Sequence, residues 1–296
     1  MTRFEGNDPA WGDGAVFDGE FETEVFKSHS IDIYYTDWNK SASNPVLMLH
    51  GFNVQSHTWD PVASALSRNR RIICPDLRGH GRSSWTRDGY WSEQFAADVI
   101  DLLEREGVTS CDVVGHSLGA RVGIALSGLR PDLVRRLVLS DGGPELASGG
   151  SQQSAKLASE RNSRLGFSRL EDALELYEEM HPEWLPVFRQ LHVQYQLREN
   201  WVGKWVERAD PELAWITRSA GRKDNAELWR LAERISAPVL LLWSGKAGFL
   251  NPDLIEKYKL HIENFNEIEV ASGHYIPREA PAEFCNLVAE FLDKVK

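Results

Sequence analysis

Six short apolar runs constrain this chain more than any other feature: PVLMLH (45–50), RRIICPD (70–76), CDVVG (111–115), RRLVLSD (135–141), PVLLLW (238–243) and FNEIEVA (265–271). Several are apolar throughout, as strands buried on both faces of a parallel sheet must be. Between them lie segments with helical spacing, at about 57–67, 92–106, 118–129, 252–261 and 281–294. Parallel neighbours can be joined only by a crossover, so regular alternation of strand and helix predicts a doubly wound α/β sheet. In EQFAADVIDLLEREG the apolar residues recur every three to four positions and stop at Gly107, a helix-capping glycine. Earlier, FETEVFKSH and IDIYYTDW alternate and predict an antiparallel hairpin ahead of the main sheet.

The alternation breaks between about 143 and 231. That stretch reads as helices (SRLEDALELYEEMH, EWLPVFRQLHVQYQLRENWVGKWVERA, PELAWITRSA and NAELWRLAERI), opening with the loop-like GGPELASGGSQQS. Strand pattern resumes at Pro238, so one sheet flanks the insert on both sides. The expected organisation is a core of residues 1–142 and 232–296 with a helical cap, 143–231, inserted after the sixth strand.

Composition narrows the partners. A formal net charge of −11 disfavours nucleic acid or an anionic membrane as the main partner. No apolar run reaches the roughly 20 residues that span a bilayer, and the acidic, glycine-rich start MTRFEGNDPAWGDG has no apolar stretch of the signal-peptide kind. A soluble, cytoplasmic protein acting on a small molecule is the expectation, and a homodimer is allowed. Cys74, Cys111 and Cys285 are far apart, and Cys74 and Cys111 lie in or beside apolar runs; buried thiols follow.

Within the third run's exit lies Gly115-His116-Ser117-Leu118-Gly119, a G-x-S-x-G motif after a strand and before the helical ARVGIAL. A sharp strand-to-helix turn lifts a serine hydroxyl clear of the sheet, and its strained backbone demands small residues two before and two after. The N–H of Leu118, in the helix's first turn, can then point at a developing oxyanion. Ser117 is accordingly the candidate nucleophile.

With LMLHGF (47–52, ending in His50-Gly51-Phe52), PDLRGHGRS (75–83), GHSLGA (115–120) and SGHYIPREAP (272–281) in this order, the chain resembles the α/β-hydrolase superfamily along almost its whole length. The resemblance implies a mostly parallel eight-stranded sheet and a cap after the sixth strand. It also implies a second oxyanion donor in the N–H of Phe52, with Gly51 permitting close backbone approach. His50 reads as a prop of that loop, and Asp76 as a loop residue bonded to Arg78 or nearby backbone. Of nine histidines, His274 follows the last strand, and by resemblance it is the general base and then acid. His57, His116, Trp184 and Trp205, with His50 and Gly51, are candidates to line the pocket. No histidine pair has metal-ligand spacing such as H-E-x-x-H, so neither metal nor cofactor is expected.

The acid is less plain. In most of the superfamily it follows the seventh strand, where this chain has KAGF (246–249), with Gly248 at the equivalent place and no carboxylate. Asp141, at the end of RRLVLSD, occupies a position from which some members supply the acid. Asp253, in the helix-opening NPD, is the alternative, and a serine–histidine pair without an acid stays open.

The insert holds Trp184, Trp201, Trp205, Trp215 and Trp229, so an apolar or aromatic substrate portion is expected. Among Arg161, Arg164, Arg189, Arg198, Arg208 and Arg218, one could clamp a substrate carboxylate; Arg121 reads as a helix salt-bridge residue. The expected activity is a serine hydrolase cleaving a small carboxylic ester, lactone or amide through an acyl-enzyme. A C–C bond hydrolase of ring-cleavage products, or a ligand-binding protein with little turnover, stays open. A serine at the elbow argues against the dehalogenase and epoxide hydrolase branches, which use aspartate there.

Overall fold

A computed structural model describes residues 21–147, 166–214 and 221–294. The strands are β1 (Phe21–Ser28), β2 (Ile31–Trp38), β3 (Pro45–Leu49), β4 (Arg71–Pro75), β5 (Cys111–His116), β6 (Val134–Ser140), β7 (Leu197–Glu199), β8 (Trp205–Glu207), β9 (Val239–Trp243) and β10 (Phe265–Glu269). Eight of them form one sheet in the order β1-β2-β4-β3-β5-β6-β9-β10. β1 pairs antiparallel with β2 and β2 with β4, and every later pairing in this sheet is parallel.

The apolar character of the central strands follows from burial on two sides. Leu47 and Leu49 of β3, Leu137 and Leu139 of β6, and Leu241 of β9 join one core. Their alternates Val46, Met48, Val138, Leu240 and Leu242 join the other. A period of two distributes successive side chains between opposite faces, and both faces are covered by helices. The first face carries α2 (Ser92–Arg105) and α3 (Leu118–Leu129); the second carries α1 (Asp60–Leu66) and, at the chain's end, Pro281–Asp293. Edge strand β10 carries Glu267, half-buried, and Glu269, exposed, and charge along an edge discourages further strand pairing.

Helix α2 stops as its sequence indicates. Gly107 has φ +65°, the Val108 N–H donates to the Leu103 carbonyl at 2.8 Å, and the Gly107 N–H donates to that of Glu104 at 3.1 Å. This paired closure uses a left-handed residue that glycine adopts without steric cost.

Between β6 and β9 the described chain forms α4 (Leu170–Met180), α5 (Pro186–Gln196), the antiparallel pair β7–β8, and α6 (Gly221–Ala232). The long helix expected from residue 183 to 209 is therefore broken. Asn200 accepts the N–H groups of Val202 and Lys204 through Oδ1, and Gly203 sits at φ +73°, which reverses the chain between β7 and β8. Side-chain bonding of this kind competes directly with the helical ladder. After β9 come α7 (Pro252–His261), then α8 (Ile276–Glu279) and α9 (Pro281–Asp293). Trp215, Arg161, Arg164 and Arg218 lie outside the described residues, as do the first twenty residues and the Gly/Ser stretch 148–151. Among the described residues no helix is long and apolar enough to cross a membrane, and no disulfide forms; all three cysteines are buried.

Candidate active site

The site lies at the carboxyl ends of the parallel strands, where open α/β sheets gather their functional loops. Ser117 ends β5 at φ 53° and ψ −111°, an uncommon conformation for a residue with a side chain. Its N–H is tied to the Ser140 carbonyl at 2.9 Å. The flanking glycines are required by contact. A Cβ on Gly115 would lie 2.3 Å from the Gly119 carbonyl oxygen, and one on Gly119 would lie 2.0 Å from that of Leu49. Gly119→Ala is therefore expected to push α3 off β3, destabilise the fold by about 1–3 kcal/mol and displace the serine; a lowered urea midpoint checks this.

His274 stands in the loop between β10 and α8. Its Nε2 is 3.1 Å from Ser117 Oγ, and its Nδ1 is 2.6 Å from Asp141 Oδ2. Asp141 follows β6 directly, is fully buried, and takes φ 45°. Its other carboxylate oxygen accepts the Ser244 N–H at 3.1 Å, from the loop after β9. Gly142 next to it packs on the elbow so closely that a Cβ would fall 2.5 Å from the Ser117 carbonyl oxygen. Asp253, in contrast, is exposed in the first turn of α7, behind Asn251, whose Oδ1 caps the Leu254 N–H at 2.9 Å. There it complements the helix dipole.

Several contacts hold the histidine loop. Glu279 accepts the N–H groups of Gly273 (2.5 Å) and Tyr275 (3.0 Å), and the Ser244 hydroxyl donates to the Ser272 carbonyl. His116 donates through Nε2 to the His274 carbonyl at 2.9 Å. Burial keeps the His116 ring well below the ordinary imidazole range, with the neighbouring His274 adding to the effect. It supports the loop as a neutral donor.

The loop after β3 brings Gly51 against the elbow, where a Cβ would meet His116 Nδ1 at 2.8 Å and Ser117 Cβ at 3.4 Å. Phe52 follows Gly51 in this loop, and Leu118 opens α3 directly after Ser117. His50 props this loop: it accepts the Leu77 N–H at Nε2 (2.9 Å), and Nδ1 donates to the Gly51 carbonyl (2.8 Å). That pattern is one neutral tautomer, and burial drives the ring's pKa far down. Asp76 holds the neighbouring loops by accepting the N–H groups of Ser56 and Arg82 at 2.6 and 2.7 Å; Arg78 pairs instead with Asp98.

The other candidate pocket residues make the following contacts. His57 bonds Asp60 at 2.8 Å and Tyr34 at 3.1 Å and stacks on Tyr195 of α5, joining the insert to the core. Trp205 pairs with Phe167 and packs with Tyr177 and Val193 inside the insert. Local sequence placed both near motifs or aromatic stretches, and packing gives each these partners. Trp184 is buried, stacks on His181, and meets Tyr275, the neighbour of His274, edge to face with ring centroids 4.9 Å apart. Arg189 donates to carbonyls of His181 and Trp184, and Arg208 to that of Leu197. Arg121 bridges the elbow helix to Asp224 and Asn225 of α6 and to the Gly143 and Pro144 carbonyls.

Sequence reasoning passed over Phe249. Its ring lies face to face on His274, centroids 3.7 Å apart and planes 10° from parallel. No local pattern marks a loop phenylalanine as a histidine's neighbour; only the position of KAGF, beside the last strand's exit, pointed there. Among the described residues no cluster of side chains suited to a metal ion is present.

Comparison with known proteins agrees with this architecture. The 3-hydroxybutyrate-oligomer hydrolase of Cupriavidus necator is 28% identical over 261 residues, covering 82% of this chain and 86% of that protein. The esterase Rv0045c of Mycobacterium tuberculosis is 29% identical over 268 residues, 86% of this chain and 85% of that protein. A solved structure of that esterase superposes with a TM-score of 0.75 at 28% identity, covering 93% of this chain and 92% of the other. The fold is also that of E-2-(acetamidomethylene)succinate hydrolase, with a TM-score of 0.83 at 20% identity, covering 93% of this chain and all of the other. The family model described as alpha/beta hydrolase fold matches residues 44–281, and with the sheet order and the serine-bearing turn at the end of β5 this chain belongs to the α/β-hydrolase fold family.

Proposed function

We propose that the protein is a serine hydrolase that cleaves a small carboxylic ester, lactone or amide through an acyl-enzyme. What carries this reading is one chain of contacts, Ser117 Oγ to His274 Nε2 at 3.1 Å and His274 Nδ1 to Asp141 Oδ2 at 2.6 Å. In this reading His274 Nε2 takes the hydroxyl proton as Ser117 Oγ attacks the substrate carbonyl carbon. The Phe52 and Leu118 N–H groups hold the oxyanion, and His274 then returns the proton to the leaving group. Asp141 keeps the proton of the neutral ring on Nδ1, so that Nε2 can accept, and stabilises the cation that forms. Water repeats the sequence on the acyl-enzyme.

The relatives named hydrolase and esterase support ester cleavage over the alternatives. The segment 143–231 acts in this reading as a cap, with Arg121 fastening α6 to the elbow helix and His57–Tyr195 fastening α5 to the core. The substrate is a small molecule with an apolar or aromatic portion.

The test is pre-steady-state hydrolysis of short p-nitrophenyl esters alongside a dienone acid. A burst of one equivalent of nitrophenol per protein, with a mass increment on Ser117, is the expected result. Cleavage of the dienone acid with no ester burst would replace this reading with C–C bond hydrolysis.

A further inference from the structure

The loop after β9 serves the site twice, although it carries no carboxylate at the chain's expected acid position. Its first residue, Ser244, gives its N–H to Asp141 Oδ1 and its hydroxyl to the Ser272 carbonyl. Five residues later Phe249 lays its ring on His274 at 3.7 Å and 10°. Phe249 is 2% exposed, and its carbonyl accepts the Ala147 N–H at 2.8 Å, which anchors the ring from the far side of the site. Gly248, at φ +70° with open space around it, supplies the turn that brings the ring in.

We propose that Phe249 is a positioning residue for His274, fixing the plane of the imidazole and favouring its cationic form through the face of the phenyl ring. The inference rests on the reading of His274 as proton shuttle. Asp141 and Ser117 restrain the ring only within its own plane, one at each nitrogen. Rotation about the axis between those nitrogens is left open to in-plane hydrogen bonding, and a parallel aromatic face removes that freedom. The same face carries the negative lobe of the phenyl quadrupole, so it attracts a cation centred above it. When Ser117 attacks, charge appears on His274, and the ring is already in place to meet it without reorganisation.

Other groups around the imidazole are Asp141 from the end of β6, His116 from β5 with its ring 4.9 Å away, and Tyr275 with its ring 5.2 Å away. Glu279 of α8 bonds the backbone on either side of His274, and Lys246, in the loop that carries Phe249, is exposed. None of these changes when Phe249 is replaced by a ring of the same shape with a weaker quadrupole. That isolates the electrostatic part.

The experiment replaces Phe249 with 4-fluoro-, 3,5-difluoro- and pentafluorophenylalanine, with Phe249→Leu as the ringless comparison. Two readouts are followed: the pH at which the His274 Hε1 proton resonance is half-shifted, and the pH profile of kcat/KM on a p-nitrophenyl ester. Fluorophosphonate labelling of the unsubstituted protein runs in parallel. Weakening the ring face disfavours the cation, so the half-shift pH and the acid limb should both move down in step with fluorine number. The full movement should be roughly half a unit to one unit. The plateau should meanwhile fall roughly three- to tenfold. A half-shift pH that stays constant across the fluorinated series overturns the inference, whether or not Phe249→Leu folds and whether or not the protein labels. A falling half-shift pH in a protein that neither labels nor hydrolyses esters would leave Phe249's action standing and sink the acyl-enzyme reading instead.

Discussion

Ser117→Ala is expected to abolish fluorophosphonate labelling and lower kcat on a p-nitrophenyl ester about 10⁶-fold, to the level that binding and the oxyanion donors alone provide. The size follows from the unit character of the contacts. Removing the hydroxyl leaves His274 with no proton to take, so the whole serine route is lost rather than one interaction within it. Stability should move little. Ser117 is only half-buried, its hydroxyl bonds His274, and its strained backbone is held by the Ser140 carbonyl and the glycines around it. An unchanged urea midpoint with labelling lost is the expected pair of results. Residual labelling at Ser117→Ala, located by mass spectrometry on another residue, would remove Ser117 from the mechanism.

Asp141→Asn should lower kcat about 10⁴-fold while Asp253→Asn stays within twofold of the unsubstituted protein. An asparagine presents either an amide oxygen or an NH₂ group to His274. With the NH₂ group facing the ring, Nδ1 becomes the acceptor and the proton moves to Nε2, where it blocks abstraction from Ser117. With the oxygen facing the ring the tautomer survives, but the cation that forms in the transition state loses its carboxylate. Asp141 is also fully buried, and its second oxygen takes the Ser244 N–H. In one orientation of the amide that donor would meet another donor, so a modest loss of stability should accompany the loss of turnover. Asp253 is exposed at a helix start, where losing its charge costs only a few tenths of a kcal/mol. Full activity in Asp141→Asn would remove this carboxylate from the mechanism, and a collapse in Asp253→Asn would put it in the other's place.

Much of the fold was legible because its determinants are local. Strands β3, β6 and β9 read as apolar runs, since their central apolar residues each have a core on one face or the other. The limits of α3 and α7 follow from a glycine-flanked turn and an Asn-Pro start, and Gly107 ends α2 through contacts within five residues. The serine-bearing turn belongs to the same class, because its five residues make its geometry among themselves and with the adjacent strand end. The region 183–209 misled for the opposite reason. Its apolar spacing is helical on both sides of Asn200, and a single side chain bonding two N–H groups overrode it. Trp205, in β8, packs on the insert's own small core.

By itself, then, the sequence determined the alternating layers, the turn that presents Ser117, and a histidine after the last strand. Tertiary structure alone decided what meets that histidine. Asp141 and His274 are 133 residues apart, and the adjacency of β6, β9 and β10 carries the end of one loop to the other. Asp253 is nearer in sequence, yet it is spent at a helix start facing solvent. Phe249 gave no sign of its partner either, because an aromatic face selects a neighbour by where the chain delivers it and not by any bond its own residue type requires.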